Sequence, residues 1–240
     1  MRLIVVASGK GGVGKTCIAI GLAHALAEAG RAVTLVDGDL GLANVDVQLG
    51  LAPGRDLADV LHGRIALEGA LRRHPAGFSV LPGRSGDAAL AGNDGAALLG
   101  VLRALPGEVV LDLGAGLGAQ QRRLAAAADQ LLVVATEEPT SLTDAYAVLK
   151  LHRLDAPGGR AGVVVNQAGN AAAARRVHGA LDAACRSFLG GGVPFLGWVR
   201  RDAHVGQAIR AQAPLLTRFP NAPAAEDLRA LARALLPVPA

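Results

Sequence analysis

Lysine is nearly absent from this chain: of 24 lysines and arginines only Lys10, Lys15 and Lys150 are lysine. An ammonium was kept where a compact, flexible cation is wanted and a planar guanidinium does not fit. Aromatic residues make up only 2% of the 240 residues, so the core must be aliphatic and closely packed. Cys17 and Cys185 form no metal or redox spacing, which suits a reducing cytoplasm. The six histidines contain no ligand-like pair. No apolar run approaches a membrane span, and the five apolar residues 3–7 are too few for a secretory leader. An acidic balance is lacking too. The net charge of +4 and pI near 9.7 permit contact with nucleic acid or anionic lipid. No Lys/Arg run exceeds two residues, so solvated, dispersed arginines account for the charge more simply. The length fits one domain over 1–240 with a sizeable core, in the cytoplasm.

What is present is alternation. Short aliphatic runs at 3–7, 32–37, 78–81, 109–113, 130–136, 162–166 and 194–199 read as strands buried on both faces, because they lack the polar alternation of a half-exposed sheet. Helical stretches at 16–29, 94–105, 117–128, 141–152, 171–189, 203–212 and 224–236 fall between or after them. Ser141 or Thr143 is the expected N-cap of the fourth helix. Strand and helix in turn predict a doubly wound α/β fold, a mostly parallel sheet with helices on both faces.

After the first run comes Gly9-Lys10-Gly11-Gly12-Val13-Gly14-Lys15-Thr16, a match to G-x-x-x-x-G-K-[ST]. It follows a strand and opens a helix, the context its chemistry needs. The backbone N–H groups of Gly11, Gly12, Val13, Gly14 and Lys15 can wrap phosphates at a helix N-terminus. Lys15 is expected to reach the β and γ oxygens and Thr16 to ligate Mg²⁺. The late strand ends Val164-Val165-Asn166-Gln167-Ala168-Gly169, without the N-K-x-D that reads guanine. Asn166 has an amide suited to the N6/N7 edge of adenine, so ATP is favoured over GTP. Three carboxylates stand at strand C-termini, where such sheets bind ligands: Asp37, Asp39 and Asp112. They are the candidates for holding the metal and orienting water. The segment Leu113-Gly114-Ala115-Gly116 is placed to sense the γ-phosphate.

With Lys10 included, the loop resembles the deviant phosphate loop of the MinD/ParA family of ATPases, and the likeness extends over essentially the whole chain. The resemblance implies a P-loop ATPase fold and an ATP-sandwiched homodimer in which Lys10 reaches the partner's phosphates. Asp39 would orient the attacking water as the first switch carboxylate. Asp37 would support the Mg²⁺ shell, and Asp112 would be the aspartate of the second switch. The stretch Asp39-Leu40-Gly41-Leu42-Ala43-Asn44-Val45-Asp46 is similar to the first switch of both the MinD and FlhG branches, and Thr136-Glu137-Glu138-Pro139-Thr140-Ser141-Leu142-Thr143-Asp144-Ala145-Tyr146 resembles the FlhG branch distinctly. Members of that branch limit flagellar number and placement, working with the flagellar GTPase FlhF and, in some bacteria, a transcriptional regulator.

The chain also departs from the family pattern. Cys17 replaces a common Thr or Ser beside the nucleotide, with the metal hydroxyl of Thr16 retained. Arg200-Arg201-Asp202 stands where many relatives place a proline-containing turn against adenine, so Arg200 and Asp202 fall at the base pocket. The sequence starts at its first strand, without the activation segment directed toward FlhF. It stops at residue 240, without the basic amphipathic helix by which MinD meets membranes. Helix 224–236 has an apolar stripe but balances Arg229 and Arg233 with Glu226 and Asp227. It is therefore expected to pack on the core rather than to anchor at the inner membrane or cell pole. The alternatives are ParA-like partitioning on nonspecific DNA, MinD-like positioning at a membrane and, from another class, a carboxylate-activating biosynthetic enzyme.

Overall fold

The computed structural model describes residues 1–86 and 95–236. Its sheet has eight strands: β1 (Arg2–Ala7), β2 (Val33–Gly38), β3 (Arg72–Arg73), β4 (Ser79–Leu81), β5 (Glu108–Leu113), β6 (Gln130–Ala135), β7 (Ala161–Ala168) and β8 (Phe195–Arg200). They lie in the order β3-β4-β2-β5-β1-β6-β7-β8. Every pairing is parallel except β3 with β4.

The helices are α1 (Lys15–Glu28), α2 (Val45–Leu49), α3 (Leu57–Leu61), α4 (Ala96–Ala104), α5 (Ala119–Ala126), α6 (Pro139–Asp155), α7 (Ala171–Leu189), α8 (Ala203–Arg210), α9 (Leu215–Arg218) and α10 (Pro223–Leu235). They cover both sheet faces and make two cores. Leu3, Val5 and Ala7 of β1 meet Leu98, Leu124 and Val148 on one side. Ile4 and Val6 meet Ile18, Leu22, Leu26 and Leu228 on the other. Adjacent residues of one strand thus enter opposite cores, which is why the strands read as unbroken aliphatic runs. Each fully buried Leu, Ile or Val contributes about 1.5–3 kcal/mol relative to exposure.

The expected C-terminal helix packs as α10. Ala224, Leu228, Leu231 and Leu235 are buried, and Arg229 pairs with Glu28 of α1 at 2.7 and 3.0 Å. Its apolar stripe is therefore covered. No helix among the described residues is long and apolar enough to cross a membrane.

Several boundaries differ from the sequence reading, each for a local reason. The cap of α6 is Glu138, with Pro139 opening the helix, since a fixed φ suits the first helical position. Neither Ser141 nor Thr143 caps it. The Ser141 hydroxyl accepts from the Thr136 N–H at 2.9 Å, and Thr143 donates to the Pro139 carbonyl at 3.4 Å. Two-residue β3 and the helices α2, α3 and α9, of four or five residues, are too short to show a period. Asp94, expected to open α4, and the terminal residues 237–240 lie outside the described residues.

Candidate active site

The loop between β1 and α1 is shaped from both sides. Gly12 and Gly14 have φ of 81° and 88°, the left-handed region that side chains disfavour. A Cβ on Gly14 would also lie 2.3 Å from the Asn166 amide nitrogen. That nitrogen donates to the Val13 carbonyl at 2.7 Å, so β7 clamps the loop from one side. From the other, a Cβ on Gly9 would stand 2.7 Å from the Asp144 carbonyl oxygen in α6. The result is a fixed phosphate cradle at the N-terminus of α1.

The carboxylates are brought together by strand register. Asp37 of β2 lies directly beside Asp112 of β5. Asp112 Oδ2 accepts from the Thr16 hydroxyl at 2.6 Å, while Oδ1 is buried with no hydrogen-bond partner. Burial, reinforced by the charge of Asp39, pushes the Asp112 carboxyl up to about 6 against the opposing effects of Thr16 and Lys15. Asp37 is wholly buried; burial and then Asp112 push it up to about 7. Lys15 is buried as well. Desolvation lowers its pKa, and Asp112 and Asp39 pull it back.

Hard oxygen donors, buried negative charge and an orphaned carboxylate oxygen fit a divalent cation shared with phosphate and water. Among the described residues no three His, Cys, Asp or Glu side chains form a closed cage. Mg²⁺ held through one or two carboxylates plus phosphate oxygens needs none. Thr16 and Asp112 face that role directly. Asp37 does not: its oxygens already accept the backbone N–H groups of Asp39 at 3.2 Å, Asn44 at 2.9 Å and Val45 at 3.0 Å. It anchors the loop after β2 and adds charge beside the cation position. Asp39 is half-buried. Its Oδ1 accepts from the Leu42 N–H at 3.0 Å, and a Cβ on Gly114 would come within 3.2 Å of its carboxylate. The loop carrying Asp39 and the segment expected to sense the γ-phosphate, 113–116, therefore touch.

A cleft of about 360 Å³ continues from the loop between α1 and the ends of β7 and β8, lined by Gly12, Cys17, Asn166, Gln167 and Arg201 among others. Its size and position suit a nucleoside. Burial pushes the Cys17 thiol up to about 11, leaving it an unreactive part of the wall. Arg200 and Asp202 border the cleft, but their polar atoms are engaged elsewhere. The Arg200 guanidinium clamps Asp227 of α10 with two bonds of 2.7 Å and lies over the Trp198 ring. Asp202 caps α8 through the His204 N–H at 2.9 Å and also accepts from the Ala224 N–H at 3.1 Å. In the nucleotide-free chain both polar groups are thus committed to the packing of β8, α8 and α10 at the edge of the cleft. Asn166 likewise uses its amide N–H on the phosphate loop.

Lys10 behaves unlike Lys15. Its ammonium donates to Glu138 Oε2 at 2.8 Å and to the Thr140 hydroxyl at 3.0 Å, on the exposed side of the loop. The sequence reading quoted Glu138 and Thr140 only within a motif, and it missed Gln48 of α2, whose amide oxygen lies 3.6 Å from the Cys17 sulfur. Nothing local marks Gln48, because its place depends on how α2 docks.

The chain is similar to known proteins. Residues 4–215 match the family model for the CobQ/CobB/MinD/ParA nucleotide binding domain. The chain is 37% identical over 239 residues to the antiactivator FleN of Pseudomonas aeruginosa, covering 97% of this chain and 85% of FleN. It is 37% identical over 158 residues to the flagellum site-determining protein YlxH of Helicobacter pylori, covering 63% of this chain and 53% of YlxH. The septum site-determining protein MinD of Pyrococcus horikoshii, solved with Mg-ADP, superposes with a TM-score of 0.81 at 28% identity, over 96% of this chain and 94% of that one.

Proposed function

Because this chain belongs to the CobQ/CobB/MinD/ParA nucleotide-binding family, we propose that its site drives an ATP-dependent monomer–dimer switch controlling the number or placement of flagella. The chain is an ATPase that uses ATP with Mg²⁺. One observation carries the switch: the two loop lysines face different ways. Lys15 is buried beside Asp112 and Asp39, whereas Lys10 lies outside, on Glu138 and Thr140. A cation displayed outside its own cradle is suited to act on phosphates in a second subunit.

In this reading the N–H groups of residues 11–15 and the Lys15 ammonium hold the phosphates. Thr16 and Asp112 would hold Mg²⁺, which when bound would supply neutralising charge for the phosphates. Asp39, close enough for its charge to act on Asp112 yet only half-buried, orients the nucleophile. Lys10 contributes charge in trans, so hydrolysis reports on pairing.

FleN bears the name antiactivator and YlxH that of a flagellum site-determining protein. They support a flagellar role; the partner in this reading is a transcriptional regulator or an FlhF-type GTPase, met in the cytoplasm or peripherally at the inner membrane or cell pole. Nonspecific DNA is the less favoured partner. Arg64, Arg84, Arg122, Arg186, Arg200 and Arg229 are paired with carboxylates rather than displayed for phosphate.

Light scattering on Asp39→Ala with ATP tests the switch: a trapped dimer is expected, and a persistent monomer rules the mechanism out. Flagellar counts in a deletion strain test the role; unchanged flagellation rejects it and leaves the ATPase intact.

A further inference from the structure

We propose that Glu138 and Thr140 are positioning residues for Lys10: they hold its ammonium within its own subunit, and pairing of two ATP-bound subunits must break that contact. The inference rests on the switch reading above and adds to it a threshold.

The loop gives Lys10 a fixed starting point. Its carbonyl accepts from the Ser8 hydroxyl at 2.6 Å, and Gly9 is pressed against Asp144 of α6. The side chain then reaches the start of α6, where a cation alone is out of place because a helix N-terminus carries partial positive charge. Glu138, the residue capping α6, reverses that preference. Its carboxylate bonds Lys10 at 2.8 Å, and the Thr140 hydroxyl of the first turn adds a second acceptor at 3.0 Å. Glu138 is two-thirds exposed, and Lys10 is its only ion-pair partner within 4 Å among the described residues, with the charge of Arg201 a smaller influence. The carboxylate therefore serves the lysine and does not brace the fold.

The size of the effect follows from exposure. An exposed ion pair shifts an equilibrium by roughly 1.5- to 5-fold. Two subunits each release one lysine on pairing, so the dimerisation constant is held down by about 2- to 25-fold. A triphosphate carries more charge than one carboxylate and wins the lysine. The contact therefore sets how much ATP-bound protein is needed, without preventing the dimer.

The test uses the full chain and exploits its three lysines. In ¹⁵N spectra of the side-chain ammonium groups without nucleotide, the signal lost in Lys10→Ala identifies Lys10. That signal is expected to move in Glu138→Gln and, by less, in Thr140→Val. By analytical ultracentrifugation with Mg²⁺ and a non-hydrolysable ATP analogue, Glu138→Gln is expected to dimerise 2- to 25-fold more tightly than the wild type. The same change in a Lys10→Ala background is expected to have no effect. An unmoved Lys10 signal, or equal or weaker dimerisation of Glu138→Gln, overturns the proposal. A wild type that stays monomeric with the analogue instead overturns the switch itself, while the nucleotide-free spectra still decide whether Glu138 holds Lys10.

Discussion

The Thr16 hydroxyl donates to one oxygen of the Asp112 carboxylate at 2.6 Å, and the other oxygen is buried without a partner. A single side chain thus fixes the donor that faces a metal and leaves charge for the metal to neutralise. Asp112→Asn should keep the contact with Thr16 and remove the charge. We expect Mg²⁺ affinity in the presence of ATP to fall by at least about 10- to 100-fold, the cost of losing even an outer-shell partner of a metal. Magnesium titration of ATP hydrolysis measures it; an unshifted midpoint would place the cation elsewhere.

The paired carboxylates make the nucleotide-free protein sensitive to pH. Burial raises the folded-state pKa of Asp37 to about 7 and of Asp112 to about 6, above the carboxylate value of an unfolded chain. Between roughly pH 4 and 7 the unfolded chain has lost these protons and the folded chain still holds them, so their contribution to stability falls as pH rises. Below that window it is fully present. The melting temperature of the free protein should therefore show this downward component from pH 4 to 7. The component should shrink in Asp112→Asn and in saturating Mg-ATP. An identical pH profile for the variant and the wild type would contradict the assignment.

Two glycines of the same loop should respond differently. A methyl group on Gly9 meets the Asp144 backbone, whereas one on Gly11 meets nothing within 4 Å. Gly9→Ala should destabilise the free protein by about 1–3 kcal/mol through overpacking. Gly11→Ala should stay within about 0.5 kcal/mol of the wild type, as at other open sites. Urea denaturation of both variants decides it.

Arg200 offers a separation of stability from binding. Removing its guanidinium leaves Asp227 without the clamp that ties β8 to α10. Arg200→Ala should cost about 1–3 kcal/mol, as for loss of hydrogen bonds to a charged group. Its ATP affinity, measured well below the melting transition, should stay within twofold of wild type. A selective loss of ATP affinity without loss of stability would return Arg200 to the base pocket.

The phosphate loop was legible because its chemistry is local: glycines, Lys15 and Thr16 act in consecutive positions. The strands were legible because opposite cores demand apolar residues in succession. Partnerships across the fold were not. Asp37 was expected to support the Mg²⁺ shell, but the sequence does not show the chain beyond β2 curling back to deliver three N–H groups to it. Arg200 does border the cleft, but its clamp on Asp227 was invisible because that partner is 27 positions away. Glu138 read as part of a motif, and only the docking of α6 against Gly9 brought it to Lys10.

The register of β2 and β5, which sets Asp37 beside Asp112, also bears on how long the protein survives in a cell. Unliganded chains confine two acidic groups in a dry space, and they open more readily than chains whose groups are neutralised by a bound cation. Proteases act on the opened form, and any ligand that binds only the closed form lowers its population. Nucleotide that binds only the closed form would therefore protect the chain from proteases as well as activate it, so the same site would tie its survival to its ligand.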